Sequence, residues 1–109
     1  MPNIYKNAKK DLTTTSVTTL YTAPALTTSI VKSIIVSEDS GNADTITVTI
    51  TDAESSPAVF SLFKTKSISA NGTAELVTAP LVVKTGEILK VTAATANRLH
   101  VVASILEVS

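Results

Sequence analysis

No cysteine occurs in the 109 residues, which excludes disulfide frameworks, thiolate nucleophiles and cysteine metal sites while leaving the compartment undecided. Tryptophan is absent, and two tyrosines and two phenylalanines supply all the aromatic bulk. A sugar-stacking platform therefore has little to work with, and no tryptophan marks an immunoglobulin core. Excess charge of one sign is also missing, because nine basic residues balance nine acidic ones. No overall field steers the chain toward nucleic acid or an anionic membrane. No run approaches the roughly 20 apolar residues that span a bilayer. The start lacks the apolar stretch of a signal peptide, so a cleaved leader is not expected.

What the chain does contain is β-branched. Threonine occurs 18 times, valine 12 and isoleucine 9, a composition that suits pleated sheets and disfavours long helices. The length fits one domain with a core of its own. Residues 1–14 read as an N-terminal arm, flexible or bound to a partner, in which Lys6, Lys9 and Lys10 precede Asp11 and Ile4, Tyr5 and Leu12 are the apolar anchors. Residues 15–109 read as a single compact β-sandwich.

The clearest strand covers residues 45–51, where Ile46, Val48 and Ile50 alternate with threonines. Segments 17–22, 28–37, 59–63, 66–69, 73–78, 87–92 and 99–108 are further strands, with a short piece at 81–83. In three of them both faces carry apolar residues. Ile30, Ile34 and Val36 oppose Val31 and Ile35; Phe60 and Leu62 oppose Val59 and Phe63; Leu99, Val101, Ala103 and Ile105 oppose Val102, Leu106 and Val108. Such strands need cover on both sides, from the same chain or from a subunit. Residues 38–44 form an acidic loop around Gly41-Asn42, residues 52–57 a polar turn, and Asn71-Gly72 predicts a tight hairpin. About eight short strands with turns near every ten residues point to an all-β, jelly-roll-like sandwich.

Chemistry finds few footholds. His100 has no carboxylate partner or nucleophile nearby in sequence. Asp39, Asp44, Asp52 and Glu54 lie in polar turns rather than flanking a cleft. Asp39, Asn42 and Asp44 could donate oxygens to calcium, but the EF-hand spacing and its closing glutamate are absent. There is no phosphate-binding glycine loop, and Lys64 and Lys66 are not interleaved with tyrosines as a base-stacking surface would require. The expectation is no catalytic residue, no metal ligand and no cofactor. The candidate contacts are those of assembly: Tyr5, Lys6, Lys9, Lys10, Leu12, Phe60, Leu62, Val102 and Leu106.

Leu20-Tyr21-Thr22-Ala23-Pro24, Ile30-Val31-Lys32-Ser33-Ile34-Ile35-Val36, Thr85-Gly86-Glu87-Ile88-Leu89-Lys90-Val91 and Val101-Val102-Ala103-Ser104-Ile105-Leu106-Glu107-Val108 together resemble the small β-rich virion proteins of tailed bacteriophages, especially capsid decoration (cement) or head-fibre modules. Where such sequences often carry glycine after the proline, this chain has Ala25-Leu26. The resemblance implies a noncatalytic protein in repeated copies on the outer capsid surface, a homo-oligomer and specifically a trimer. Its terminal arm would grip the major capsid protein or another virion protein, with no cofactor, no specific nucleic acid and no membrane. A tail or baseplate adhesin, binding host glycan or protein through the 38–44 and 52–57 loops, is the alternative on the same scaffold. A small hydrolase is a remote third.

Overall fold

A computed structural model describes residues 3–53 and 57–108. Its strands are β1 Asn3–Leu12, β2 Thr18–Thr22, β3 Thr28–Glu38, β4 Asp44–Thr51, β5 Val59–Ile68, β6 Thr73–Val77, β7 Leu81–Val83, β8 Ile88–Ala93 and β9 Leu99–Val108. Period-two patterning drives most of them: Ile46 and Val48 of β4, Leu89, Val91 and Ala93 of β8, and Leu99, Val101, Ala103 and Ile105 of β9 all point into one core. The Glu54 and 54–56 part of the expected 52–57 turn lies outside the described residues.

Two sheets enclose that core. One has the order β1-β9-β3-β6, with β7 also paired to β3, and the other the order β2-β8-β4-β5. All pairs are antiparallel. Along the chain β1 meets β9, β2 meets β8, β3 meets β6 and β7, and β4 meets β5. A long hairpin ribbon is thus wound into two facing sheets, which is the jelly-roll scheme. The sequence-based fold class holds, with nine strands rather than about eight.

A bulge explains one of the two-faced strands. The register of β3 on β9 shifts between Val31 and Ser33, so Lys32 is an extra residue and the parity of the strand reverses there. Val31, Ile34 and Val36 all face the core with no exposure, while Ile30 and Ile35 share the outer face. The sequence pattern had grouped Ile30 with Ile34. The same device occurs twice in β5, where shifts beside Val48 leave Phe60 opposite Ile50 and Phe63 opposite Val48. Thr65, at φ 48°, donates its N–H to the Thr47 hydroxyl at 3.1 Å. The expected strands 59–63 and 66–69 are therefore one bulged strand.

Asn71-Gly72 does make a turn, but not a hairpin. The Gly72 N–H bonds the Ser69 carbonyl at 2.9 Å, with Asn71 at φ 55° as the third residue of the turn. One positive φ at that place gives a type II twist, which splays flanking strands, whereas the primed hairpin turns match strand twist. Accordingly β5 and β6 belong to different sheets. At the opposite end Leu26 adopts φ 59° and is 90% exposed. It holds a left-handed conformation in the very turn where glycine would be unstrained, at a cost of about 1 kcal/mol.

The segment expected as an arm differs most. Residues 3–12 are the edge strand β1, in unbroken register with β9 from Asn3↔Val108 to Leu12↔Leu99. Its side chains are almost all exposed, so its composition reads as a tail, and only pairing reveals the strand. Leu12 is 1% exposed and belongs to the core; it has no surface to offer a partner, and its place among the assembly contacts is corrected. Leu12→Ala should lower stability by about 2–4 kcal/mol in urea denaturation, as for other buried leucines. An unchanged midpoint and slope would mean that β1 is not docked.

Candidate functional site

The outer faces of the two sheets are chemically unlike. On the β2-β8-β4-β5 sheet the central strands present Thr45, Thr47, Thr49, Lys90 and Thr92 outward, opposite the core-facing positions. On the other sheet the cross-strand register aligns Tyr5, Leu106, Ile30 and Val82 in one row. Four residues on, past a polar row of Asn7, Ser104 and Ser33, another row holds Lys9, Val102, Ile35 and Glu75. Tyr5 is 74% and Val82 54% exposed, and Leu106, Ile30, Val102 and Ile35 are half-buried. The sequence-predicted Tyr5, Lys9, Val102 and Leu106 thus meet on one face. Lys6 and Lys10 are set on the other side of β1 by the same alternation, so the lysine cluster of the sequence is divided.

Phe60 and Leu62 lie elsewhere, on the free edge strand β5. There the two sheets part, and a cleft of about 320 Å³ opens between Leu62 and Phe63 on one side and Leu76, Val77 and the 78–81 segment on the other. Val59 and Phe60 stand exposed earlier on the same strand, Phe60 by 56%. Lys64 and Lys66 guard the far half of this edge, but residues 59–63 carry no charge, and uncharged apolar edges invite pairing.

Three polar clusters were not legible in the sequence. The Tyr21 hydroxyl crosses from β2 to donate to the Glu107 carboxylate and shares a 2.6 Å hydrogen bond with Ser29. Lys6 Nζ lies 3.3 Å from the same carboxylate. Burial, then the hydrogen bond to Glu107, pushes the Tyr21 hydroxyl up to about 12, so it stays a neutral donor. The group joins the two sheets and ties in the edge strand.

Glu38 ends β3 at 2% exposure. Its carboxylate accepts the Ser40 hydroxyl and the N–H groups of Ser40 at 2.8 Å, Gly41 at 3.1 Å and Asn71 at 2.9 Å. Burial acts to raise this carboxyl, but those four donors together hold it down at about 2. The 38–44 loop and the Asn71 turn are pinned by one side chain. The third cluster is His100, whose Nε2 lies 3.3 Å from Asp11 and Nδ1 3.4 Å from Asp39. Ser37 stands opposite His100 in the register, yet both imidazole nitrogens are directed at carboxylates and none at that hydroxyl. The register of β1 on β9, invisible in sequence, supplies the Asp11 partner.

The acidic residues considered for calcium point to separate partners: Asp39 to His100, and Asp44 to the Thr95 N–H at 3.1 Å. Asp52 accepts the Ala58 N–H at 3.1 Å. Among the described residues no group of three or more His, Asp or Glu could hold a metal ion, and no helix is long and apolar enough to cross a membrane.

No protein-family model and no curated protein matches the sequence. The fold is shared with a chain in the solved structure of infectious bursal disease virus, Gt strain, at a TM-score of 0.51 and 8% identity. The match takes in 98% of this chain and 30% of that one. At that identity the likeness is one of architecture: an all-β jelly roll that also occurs within a larger viral chain.

Glu38 yields a pH test. Its carboxyl is depressed from an ordinary 4.5 to about 2, so its ionised form contributes stability that is full above pH 4.5 and lost as pH falls toward 2. Glu38→Gln has one acceptor oxygen for four donors and should melt lower than the parent at pH 7. The gap in Tm should close between about pH 5 and pH 2 as the parent carboxylate is protonated; a constant gap would refute the assignment.

Proposed function

We propose that this chain is a noncatalytic virion structural protein, a capsid decoration or cement protein that reinforces contacts between shell subunits. The observation that carries the reading is the open β5 edge, where Val59, Phe60 and the apolar cleft beside Leu62 and Phe63 form a surface suited to packing. The partner is the major shell protein, and the place is the outer surface of the capsid. The mechanism is passive: binding to assembled shell but not to free subunits stabilises the assembly by mass action, and several attachments per copy add avidity. The resemblance of the strand-and-turn runs to phage decoration modules supports this, as does a jelly roll shared with a viral chain.

The adhesin reading places recognition in the 38–44 and 52–57 loops. Glu38 fixes the first of these from within, leaving it little freedom to adapt to a ligand, and this favours the decoration role. Co-sedimentation with assembled shells provides the test. The parent should pellet with shells, and Phe60→Asp should weaken binding at least tenfold, about 1.4 kcal/mol, with an unchanged circular dichroism spectrum. Failure of the parent to bind, together with full thermal stability of shells lacking it, would sink the reading.

A further inference from the structure

The outer face of the β1-β9-β3-β6 sheet carries two apolar rows parted by Asn7, Ser104 and Ser33, and the second of them ends in opposite charges. In the row Lys9, Val102, Ile35, Glu75, the lysine sits on β1 and the glutamate on β6. Three strand spacings separate them, roughly 14 Å, so within one chain they lie on opposite margins. A two-fold axis lying between two such faces, parallel to the strands and running between β9 and β3, exchanges those margins.

We infer that this face binds a second copy of the same chain, sheet against sheet. Under that axis β1 of one copy lies over β6 and β7 of the other. Lys9 then meets the second copy's Glu75, and Glu75 its Lys9, so each charge pair forms twice. In the same register Tyr5 lies over Val82, Leu106 over Ile30 and Val102 over Ile35, so the apolar row is covered by its own image. No other two-fold in the plane of the face does this. An axis across the strands stacks β1 on β1 and β6 on β6, and leaves the charges without opposite partners.

Lys32, lifted out of β3 by the bulge, borders a depression with Tyr5, Lys6, Asn7, Ser104 and Ile105, between the two apolar rows. The size is adequate: four strands and ten residues cover roughly 650 Å² per copy, near the 800 Å² or so per partner of ordinary specific interfaces. The face opposite, with its threonines and Lys90, has neither the apolar row nor the paired margins.

This pairing stands apart from the capsid reading and is tested on the purified chain alone. Sedimentation equilibrium should give a monomer–dimer equilibrium. Lys9→Glu should raise the dimer Kd at least tenfold, Glu75→Lys should do likewise, and the double reversal should restore it to within about threefold, because only an intermolecular Lys9 and Glu75 contact is mended by the swap. Both residues are exposed, so folding is not at stake. As a second readout, the chain has no cysteine of its own, so Lys9→Cys and Glu75→Cys variants can be mixed. A thiol cross-linker of about 10 Å, the spacing of stacked sheets, should join one to the other in preference to joining either to itself. A monomer at every concentration, a trimer, single reversals without effect, or like-to-like cross-links would overturn the inference.

Discussion

Everything in this fold is referred to β9. It lies between β1 and β3 and is held to each along its whole length, with one bulge in twenty paired positions. Its inward residues, Leu99 to Ile105, form part of the core, and its last inward residue, Glu107, is the acceptor that draws Tyr21 across from the other sheet and Lys6 from the edge. Its outward residues set the rows in which Tyr5 and Lys9 on one side align with Ile30 and Ile35 on the other. A register fixed by a buried face cannot slip by one residue without exposing that face. The surface pattern is therefore as firmly specified as the core.

From that constraint comes the difference between the two outer faces. Both sheets bury aliphatic side chains inward, but outward one is threonine and lysine, which water solvates, and the other carries isoleucine, valine, leucine and tyrosine in two rows parted by Asn7, Ser104 and Ser33. Monomeric proteins rarely leave such a row uncovered. Together with the uncharged half of β5 and its cleft, it gives the molecule two apolar surfaces on different sides. Two of the polar clusters hold the fold together: Glu38 pins loops, and Tyr21 with Glu107 braces the sheets.

The jelly roll was legible because its signal is composition and alternation, and residues 45–51 carry it almost without error. Three things were not legible, each for a physical reason. The β1 strand pairs through its backbone while its side chains face water, so nothing in Asn3 to Asp11 alternates between apolar and polar. Bulges at Lys32 and within β5 reverse parity, and an inserted residue leaves no mark in sequence, so Ile30 was grouped with Ile34. The partners of Glu38 and His100 come from turns and strands far along the chain, and no spacing rule announces them. Of the candidate contacts, Tyr5, Lys9, Val102 and Leu106 lie on one face, Leu62 lines the cleft and Phe60 stands exposed on the same strand, Lys6 and Lys10 face the other side of β1, and Leu12 is core.

The most direct measurement is a cryo-EM reconstruction of a particle that carries this protein. The account predicts the β5 edge, with Phe60 and the cleft beside Phe63, seated on the shell, and the Tyr5 to Val82 face covered by a neighbouring copy. Attachment through the threonine face or the 38–44 loop, with the Tyr5 to Val82 row open to solvent, would contradict it.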